Sequence, residues 1–227
     1  MILLDIEGTT TPIGFVTETL FPYARRHLPQ YLDQQDGTPD VRGAIARLHD
    51  EYERDRQRGE PVPAWSPLAY LAWLMDRDRK SPALKELQGR VWEEGYRNGT
   101  LVGQVFEDVP PALARWRDEG IPVGIFSSGS VRAQQWLFRR STAGDLTPWL
   151  SWHFDTAVGA KQDAASYARI AEDVHVAPSE ILFVSDVAAE LDAARTAGMR
   201  TTMTVRPGNA PQPAHTHPVI TSFDQLP

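Results

Sequence analysis

The second half of the chain alternates short apolar runs with amphipathic stretches, and this order restricts the possible folds more than any other feature of the sequence. From about Val102, apolar runs such as IPVGIF, ILFVSD and MRTTMTV alternate with stretches of helical spacing such as VPPALARWRDEG and VAAELDAARTAG. Strands that are separated by helices pair in parallel through right-handed crossovers. We therefore predict an α/β fold with a parallel sheet, in which MRTTMTV is the last strand.

One further strand, ILLDI, opens the chain and is separated from the others by a long stretch that has helical spacing and no convincing strand. This stretch runs from about Phe15 to about Thr100, and its serine-proline pairs are typical of helix starts. The expected helices are Thr17 to Gln35, Asp40 to Arg58, and two that begin at Ser66-Pro67 and Ser81-Pro82. The charged run HDEYERDRQRGE suits a solvent-exposed helix face. We expect one core domain with a helical insertion.

The composition excludes several classes of function. The net charge of −7 argues against a surface that binds nucleic acid or an anionic membrane, although local cations can still bind a small anionic substrate. The chain has no cysteine, so disulfides, zinc-thiolate sites and thiol nucleophiles are excluded. There is no long apolar segment and no signal-peptide pattern at the start. We expect a cytoplasmic monomer.

Polar side chains of complementary type follow the strands at the points where the strands end. They are Asp5 and Glu7, then Ser127 and Ser128, then Lys161 in a loop, then Ser185 and Asp186. Because the carboxyl ends of parallel strands meet at one edge of the sheet, these side chains should converge. Carboxylates with a nearby cation are typical of a magnesium site that binds a substrate phosphate, and the lysine and hydroxyl groups can bind the phosphoryl oxygens.

These residue types permit one specific mechanism. Asp5 attacks phosphorus and forms an aspartyl-phosphate, while Mg²⁺ and Lys161 screen the charge that would repel the carboxylate. Glu7 protonates the leaving oxygen and later activates water. Each residue alone is more often a helix cap, a turn residue or a surface charge. The combination at successive strand ends favours catalysis, and the absence of GK[ST] and GxGxxG elements weakens nucleotide-binding alternatives.

Four segments resemble the four motifs of the haloacid dehalogenase superfamily. They are DIEGTT, FSSGS, VGAKQDAASYARI with Lys161, and VSDVAAELDAARTAGM. The resemblance implies a Rossmann-like catalytic core, formed by residues 1–13 and 102–227, and an inserted all-helical cap domain at residues 14–101. Most members of the superfamily have aspartate where this chain has Glu7.

Further segments resemble one family within it, the bifunctional enolase-phosphatases of methionine salvage, also called acireductone synthases. These segments are LLDIEGTTTPI, FVTETLFPYA, LKELQGRVWEEGYRNG, VRPGN and the terminal SFDQL. The resemblance implies a phosphoric monoester hydrolase that converts 2,3-diketo-5-methylthiopentyl-1-phosphate, by enolisation and then dephosphorylation, to the acireductone 1,2-dihydroxy-3-keto-5-methylthiopentene.

The resemblance also assigns roles to the residues at the strand ends. Asp5, Glu7 and Asp186 would bind Mg²⁺, with Glu7 preferably acting through its main-chain carbonyl so that its carboxylate stays free for proton transfer. Ser127, Ser128 and Lys161 would bind the substrate phosphate. The base for enolisation is not identifiable from the sequence, and Trp73, Asp76 and Lys85 are candidate cap contacts, with packing the better explanation for the tryptophan.

Three alternatives remain open at this point. The first is a general small-metabolite phosphatase of the same superfamily. The second is a phosphoaccepting receiver module, which also gathers acids, a hydroxyl group and a lysine at strand ends. A receiver, however, is about half this length and has no helical insertion. The third, a catalytically inactive binding protein, is disfavoured because all four motif positions hold reactive residue types.

Overall fold

A computed structural model describes all residues 1–227, and its centre is one six-stranded sheet in which every pair of neighbouring strands is parallel. The strands are β1 (Ile2–Leu4), β2 (Val123–Phe126), β3 (Trp152–Phe154), β4 (Leu182–Ser185), β5 (Arg200–Thr204) and β6 (Val219–Ile220). Their order across the sheet is β3-β2-β1-β4-β5-β6. The α/β fold with a parallel sheet is therefore confirmed, and β1 lies between β2 and β4.

The expected helices are also present, within one to four residues of their predicted bounds. They are α1 (Phe21–Gln34), α2 (Pro39–Gln57), α3 (Pro67–Asp76), α4 (Pro82–Arg97), α5 (Val109–Asp118), α6 (Val131–Arg139), α7 (Ala164–Val174) and α8 (Ala188–Thr196). A π-helical turn, Phe15–Leu20, runs directly into α1, and Pro22 lies in the first turn of α1. No helix is both long enough and apolar enough to cross a membrane.

The sequence prediction missed two short strands. MRTTMTV forms β5, but it is not the last strand, because Val219 and Ile220 pair with it beyond the proline-rich segment. The tryptophan-rich segment contains β3, which pairs with β2 at the other edge. Both strands have at most three residues, and both have side chains that are partly exposed to solvent. Neither gives the continuous apolar run that marks a buried central strand.

The two faces of the sheet are covered by different helices. On one face, α5 and α6 pack in a cluster of 25 buried apolar residues that includes Ile2 and Leu4 of β1. On the other face, α7 and α8 pack around Leu3 in a cluster of 14 residues. Successive residues of a strand point to opposite faces, so β1 is apolar throughout because both of its faces are buried.

The helical insertion has an apolar cluster of its own. Twelve buried residues from α1 to α4 form it, including Leu48, Tyr70 and Leu87. The charged run of α2 is mainly exposed, as expected, but Asp55 is an exception: it is 5% exposed and accepts hydrogen bonds from Tyr70 Oη at 2.8 Å and Arg79 Nη2 at 2.9 Å. Part of the predicted solvent-exposed face therefore lies inside the insertion.

Candidate active site

The central strands bring the predicted site residues to the carboxyl edge of the sheet. Asp5 directly follows β1, and its amide donates to the carbonyl of Val184 in β4 at 3.0 Å. Ser127 directly follows β2, and its amide donates to the Phe154 carbonyl at the end of β3 at 3.2 Å. Asp186 directly follows β4. Neighbouring strands therefore place these three side chains at one edge, as the order of the elements predicts.

Lys161 makes the closest contacts of the site. Its Nζ lies 2.5 Å from Asp5 Oδ1 and 2.7 Å from Glu190 Oε2. The hydroxyl of Tyr167, on α7, donates to the Lys161 carbonyl at 2.7 Å and fixes the loop in place. Burial alone would lower the pKa of Lys161, but the carboxylates of Asp5 and Glu190 outweigh burial and raise it. The lysine therefore stays charged beside Asp5.

Glu190, in the first turn of α8, is a site residue that the sequence analysis missed. It is buried, and besides Lys161 it accepts a hydrogen bond from Ser185 Oγ at 3.1 Å. Burial, followed by the charge of Asp5, raises its pKa to about 7. Glutamate is common in the first turn of a helix for local electrostatic reasons, so the sequence carried no distinct signal of this role.

The turn after β1 positions Glu7. The amides of Thr9, Thr10 and Thr11 all donate to the Ile6 carbonyl, at 3.2, 3.0 and 2.9 Å. The chain bends sharply within this turn, and Glu7 is half-buried there. Burial, followed by the charge of Asp5, raises the pKa of Glu7. A raised pKa favours the protonated carboxyl, which is the form that can donate a proton.

Gly8 allows Asp186 to approach this turn. The φ of Gly8 is +69°, and a Cβ added there would lie 2.3 Å from Asp186 Oδ2. Only glycine fits this combination of left-handed backbone and close contact. The Gly8 carbonyl accepts hydrogen bonds from Asn209 Nδ2 at 3.0 Å and Thr204 Oγ1 at 3.2 Å, which tie the turn to β5 and to the loop beyond it.

Asp186 is buried and lacks a cationic partner. Its Oδ1 has no hydrogen bond, and burial, followed by the charge of Asp5, raises its pKa to about 7. The site thus has three buried carboxylates, those of Asp5, Asp186 and Glu190, and one ammonium, that of Lys161, whose side chain is 10% exposed. An unpaired buried charge is costly, so the site fits an additional cation.

No three Asp, Glu, His or Cys side chains are grouped closely enough to hold a metal ion, so main-chain, water or substrate oxygens must complete any ligand set.

The two serines after β2 differ in their surroundings. Ser127 is buried, and its Oγ accepts a hydrogen bond from the Gly129 amide at 3.2 Å. Ser128 is exposed to solvent. Ser130 caps α6 by accepting a hydrogen bond from the Ala133 amide at 3.3 Å. The loop therefore leaves the Ser128 hydroxyl accessible to a ligand at the same edge as Asp5.

The helical insertion contacts this edge through α4. Lys85 Nζ lies 3.3 Å from Asp155 Oδ2, in the loop after β3, and 3.2 Å from Thr156 Oγ1. Trp73 is buried within the insertion, where it stacks on Tyr70, as the packing explanation predicts. Asp76 forms an ion pair with Arg25 on the outside of the insertion. Of the three candidate cap residues, Lys85 alone contacts the core.

Comparison with known proteins identifies the family. Residues 1–198 match the haloacid dehalogenase-like hydrolases. The protein named enolase-phosphatase E1 from Synechococcus elongatus is 48% identical over 231 residues, which cover 99% of this chain and 96% of that protein. The enolase-phosphatase E1 of Sorangium cellulosum is also 48% identical, with the same coverage of both chains. The chain belongs to the enolase-phosphatase family.

Solved structures with the same fold cover almost the whole chain. The UTR4 protein of Saccharomyces cerevisiae, which has a crystal structure, is 36% identical in sequence and superposes with a TM-score of 0.79. The match covers 100% of this chain and 99% of that protein. CbbY from Rhodobacter sphaeroides shares the fold, with a TM-score of 0.61 and 18% sequence identity. That match covers 99% of this chain and 95% of CbbY. The predicted superfamily, family and hydrolase class are confirmed, and the receiver alternative is excluded.

Proposed function

We propose that the protein is a Mg²⁺-dependent bifunctional enolase-phosphatase of methionine salvage, which enolises 2,3-diketo-5-methylthiopentyl-1-phosphate and then dephosphorylates it to the acireductone. The observation that carries this proposal is the 48% identity to proteins of that name over 99% of the chain, including the helical insertion. The aligned region includes this insertion, whose Lys85 contacts the loop after β3, and function depends on the site rather than on the fold, so similarity over the whole chain favours this substrate over a general phosphatase role. The small phosphorylated metabolite is the expected partner, and monomeric state and cytoplasmic location stay predictions.

We propose that Asp5, Asp186 and the main-chain carbonyl of Glu7 bind Mg²⁺. The support is the unpartnered buried oxygen of Asp186, together with the shortage of positive charge among the buried carboxylates. A bound Mg²⁺ supplies positive charge to the phosphoryl oxygens and to Asp5. Binding through the Glu7 carbonyl leaves the Glu7 carboxyl free, which suits the absence of a three-carboxylate cluster.

In the phosphatase step, Asp5 attacks phosphorus and the phosphorus–oxygen bond to the substrate breaks. Lys161, already 2.5 Å from Asp5, neutralises charge on the attacking carboxylate and on the phosphoryl group. The hydroxyls of Ser127 and Ser128 donate hydrogen bonds to the phosphoryl oxygens. Glu7 gives its proton to the leaving oxygen, and then, as a carboxylate, takes a proton from the water that hydrolyses the aspartyl-phosphate.

The test is to mix the protein, Mg²⁺ and the diketo-phosphate, and to follow enol absorbance and free phosphate as separate signals. We expect a transient enol signal that precedes phosphate release. Phosphate without the enol would contradict the bifunctional activity, and the absence of both signals would contradict the assignment of this substrate.

Glu7→Gln tests the role of the carboxyl group within this mechanism. The amide keeps the main-chain carbonyl but cannot donate a proton, so the variant should bind Mg²⁺ with unchanged affinity and release phosphate about 100-fold or more slowly. Isothermal titration with Mg²⁺ and a phosphate-release assay measure the two properties. A large loss of Mg²⁺ affinity would show that the side chain is itself a ligand.

A further inference from the structure

The end of β3 fastens the loop between β2 and α6, residues 127–130, which we call the serine loop. At the start of this loop, the Ser127 amide donates to the Phe154 carbonyl at 3.2 Å. At its end, the amide of Val131, the first residue of α6, donates to Asp155 Oδ2 at 3.3 Å. Both ends of the serine loop are therefore attached to one short segment of the neighbouring strand.

Gln134 of α6 joins the middle of the serine loop to the same segment. Its Nε2 donates to the Gly129 carbonyl at 2.9 Å and to the Phe154 carbonyl at 2.8 Å. Gln134 is buried, so water does not compete for these hydrogen bonds. The backbone of the loop, from which the exposed Ser128 reaches solvent, is thus positioned by its contacts with the end of β3.

Lys85 brings the helical insertion to this segment. Its Nζ lies 3.3 Å from Asp155 Oδ2 and 3.2 Å from Thr156 Oγ1. One carboxylate oxygen of Asp155 is therefore shared between the insertion and the Val131 amide, while the other accepts from the Ala157 amide at 2.8 Å. The two charged side chains are only 28% and 17% exposed, so solvent screens this ion pair less than a fully exposed one.

Helix α4 also lies directly against the serine loop. Gly89 is one turn beyond Lys85 and shares its face of the helix. A Cβ added to Gly89 would lie 3.2 Å from Ser130 Oγ, so a side chain there would crowd the loop. The insertion thus meets the loop and its anchoring segment at two successive turns of one helix, first through a charge and then through a glycine.

A second ion pair joins α4 to α6 without a contact to Asp155. Glu93 lies two turns beyond Lys85, and its Oε2 is 3.0 Å from Arg132 Nη1. The only other ion pair of Glu93 is with Arg97, on its own helix. The Glu93–Arg132 pair therefore attaches the insertion to the core but does not hold the carboxylate that anchors the serine loop.

We propose that Asp155 is a positioning residue for the phosphate-binding serines, and that Lys85 acts through Asp155, so that the helical insertion sets the affinity of the core for phosphate. This inference rests on the proposed function, in which Ser127 and Ser128 bind the phosphoryl group. Without Lys85, the Asp155 carboxylate would be a negative charge without a counter-ion beside this loop, where it would repel a phosphate dianion. Lys85 neutralises that charge and holds the carboxylate that orients the loop.

The expected effect is on phosphate binding rather than on the chemical step. The serines bind the phosphoryl oxygens in the bound substrate and in the transition state alike, so weaker positioning should raise KM and leave kcat nearly unchanged. In the full-length protein with Mg²⁺, Lys85→Met and Asp155→Ala should each raise KM for p-nitrophenyl phosphate and Kd for inorganic phosphate about 10-fold. Lys85→Arg should keep part of this affinity because it retains the positive charge.

The double variant Lys85→Met/Asp155→Ala tests whether Lys85 acts through Asp155. We expect it to bind phosphate as Asp155→Ala does, because the lysine has no further effect once its partner is absent. Losses that add in the double variant would overturn the proposal, since they would show that Lys85 contacts phosphate itself. Lys85→Met and Lys85→Arg alone decide the question if Asp155→Ala does not fold.

Arg132→Met is the matched control, because it breaks the second ion pair between α4 and α6. It should leave both KM and the Kd for phosphate at their wild-type values. Equal effects of Arg132→Met and Lys85→Met would overturn the proposal, as would wild-type phosphate affinity in Lys85→Met. These measurements use only phosphate and p-nitrophenyl phosphate, so their outcome is separate from conversion of the diketo-phosphate, which tests the proposed function.

Discussion

At the scale of single residues, the position of Lys161 depends on Glu190, a carboxylate outside the proposed catalytic and metal-binding residues. Glu190 Oε2 lies 2.7 Å from Lys161 Nζ. The lysine is thus held between two carboxylates, and Ser185 fixes one of them. A lysine side chain has high conformational freedom, so a second anchor keeps the ammonium beside the nucleophile rather than in solvent.

Glu190→Gln tests this positioning role. The amide keeps the size of the side chain but removes the charge that attracts Lys161, so we expect kcat for p-nitrophenyl phosphate to fall by about 10- to 100-fold, with a smaller change in KM. Glu172→Gln, an exposed change on α7, is the control and should have wild-type kinetics. A Glu190→Gln enzyme with unchanged kcat would mean that Asp5 alone positions the lysine.

Asp186 links metal binding to pH. Its pKa is about 7 in the metal-free protein, against an ordinary value of 3.8. At a pH between these two values, the Asp186 carboxyl is protonated in the folded state and ionised in the unfolded state. Its contribution to the free energy of unfolding of the metal-free protein is therefore present at low pH and is lost as the pH rises through about 7. Mg²⁺ must displace the same proton, so its binding is favoured at higher pH.

We therefore expect Mg²⁺ to raise the melting temperature more at pH 8 than at pH 6. A Mg²⁺ concentration of 100 times the Kd contributes about 2.7 kcal/mol to the free energy of unfolding. Asp186→Asn should melt at a higher temperature than wild type in Mg²⁺-free buffer at pH 8, and should show little response to added Mg²⁺. Thermal unfolding with and without EDTA measures both effects, and a full Mg²⁺ response in Asp186→Asn would remove this residue from the proposed ligand set.

At the scale of secondary-structure elements, the sequence predicted those features that have a local cause. The central strands could be predicted because both faces are buried, and the helix starts because serine-proline pairs mark them. The strands β3 and β6 could not, because their few residues are partly exposed and become strands only by pairing with β2 and β5. Glu190 was missed for a related reason: its role depends on contacts with Lys161, far away in the sequence.

Asp55 shows how such a distant contact organises the insertion. It lies on α2 in a run of charges, yet its carboxylate joins Tyr70 of α3 to Arg79 of the α3–α4 loop. Burial, followed by the hydrogen bond to Asp55, raises the pKa of Tyr70, so the tyrosine stays a hydrogen-bond donor. Asp55 thus connects α2 and α3 with the loop that leads to α4.

Removing this carboxylate should destabilise the protein far more than removing an exposed one. Asp55→Ala leaves Tyr70 without its acceptor and Arg79 without its buried partner, so we expect the free energy of unfolding to fall by about 3 kcal/mol. Asp50→Ala, an exposed change on the same helix, should alter it by less than about 0.5 kcal/mol. Urea unfolding followed by circular dichroism measures the difference, and equal effects of the two substitutions would contradict the structural role of Asp55.

At the scale of the whole molecule, the helical insertion and the sheet share one apolar cluster. We propose residues 14–101 as the cap domain, and its outer part has a separate cluster around Leu48 and Tyr70. However, Phe15, Leu20 and Trp92 belong to the same 25-residue cluster as β1 and α5. The inner ends of the cap helices are therefore buried together with the core, unlike two domains joined by an exposed linker.

This sharing predicts that cap and core unfold together. Opening the cap alone would expose the apolar side chains of the shared cluster, at about 25 cal/mol for each Å² of apolar surface, so a state with only the cap unfolded should be poorly populated. In pulsed hydrogen exchange at increasing urea concentration, peptides from α2 and from α5 should become labelled at the same midpoint. Trp92→Ala weakens the shared cluster and should move the α2 midpoint to lower urea than the α5 midpoint. Separate midpoints already in the wild-type protein would mean that the outer cluster of the cap folds independently of the sheet.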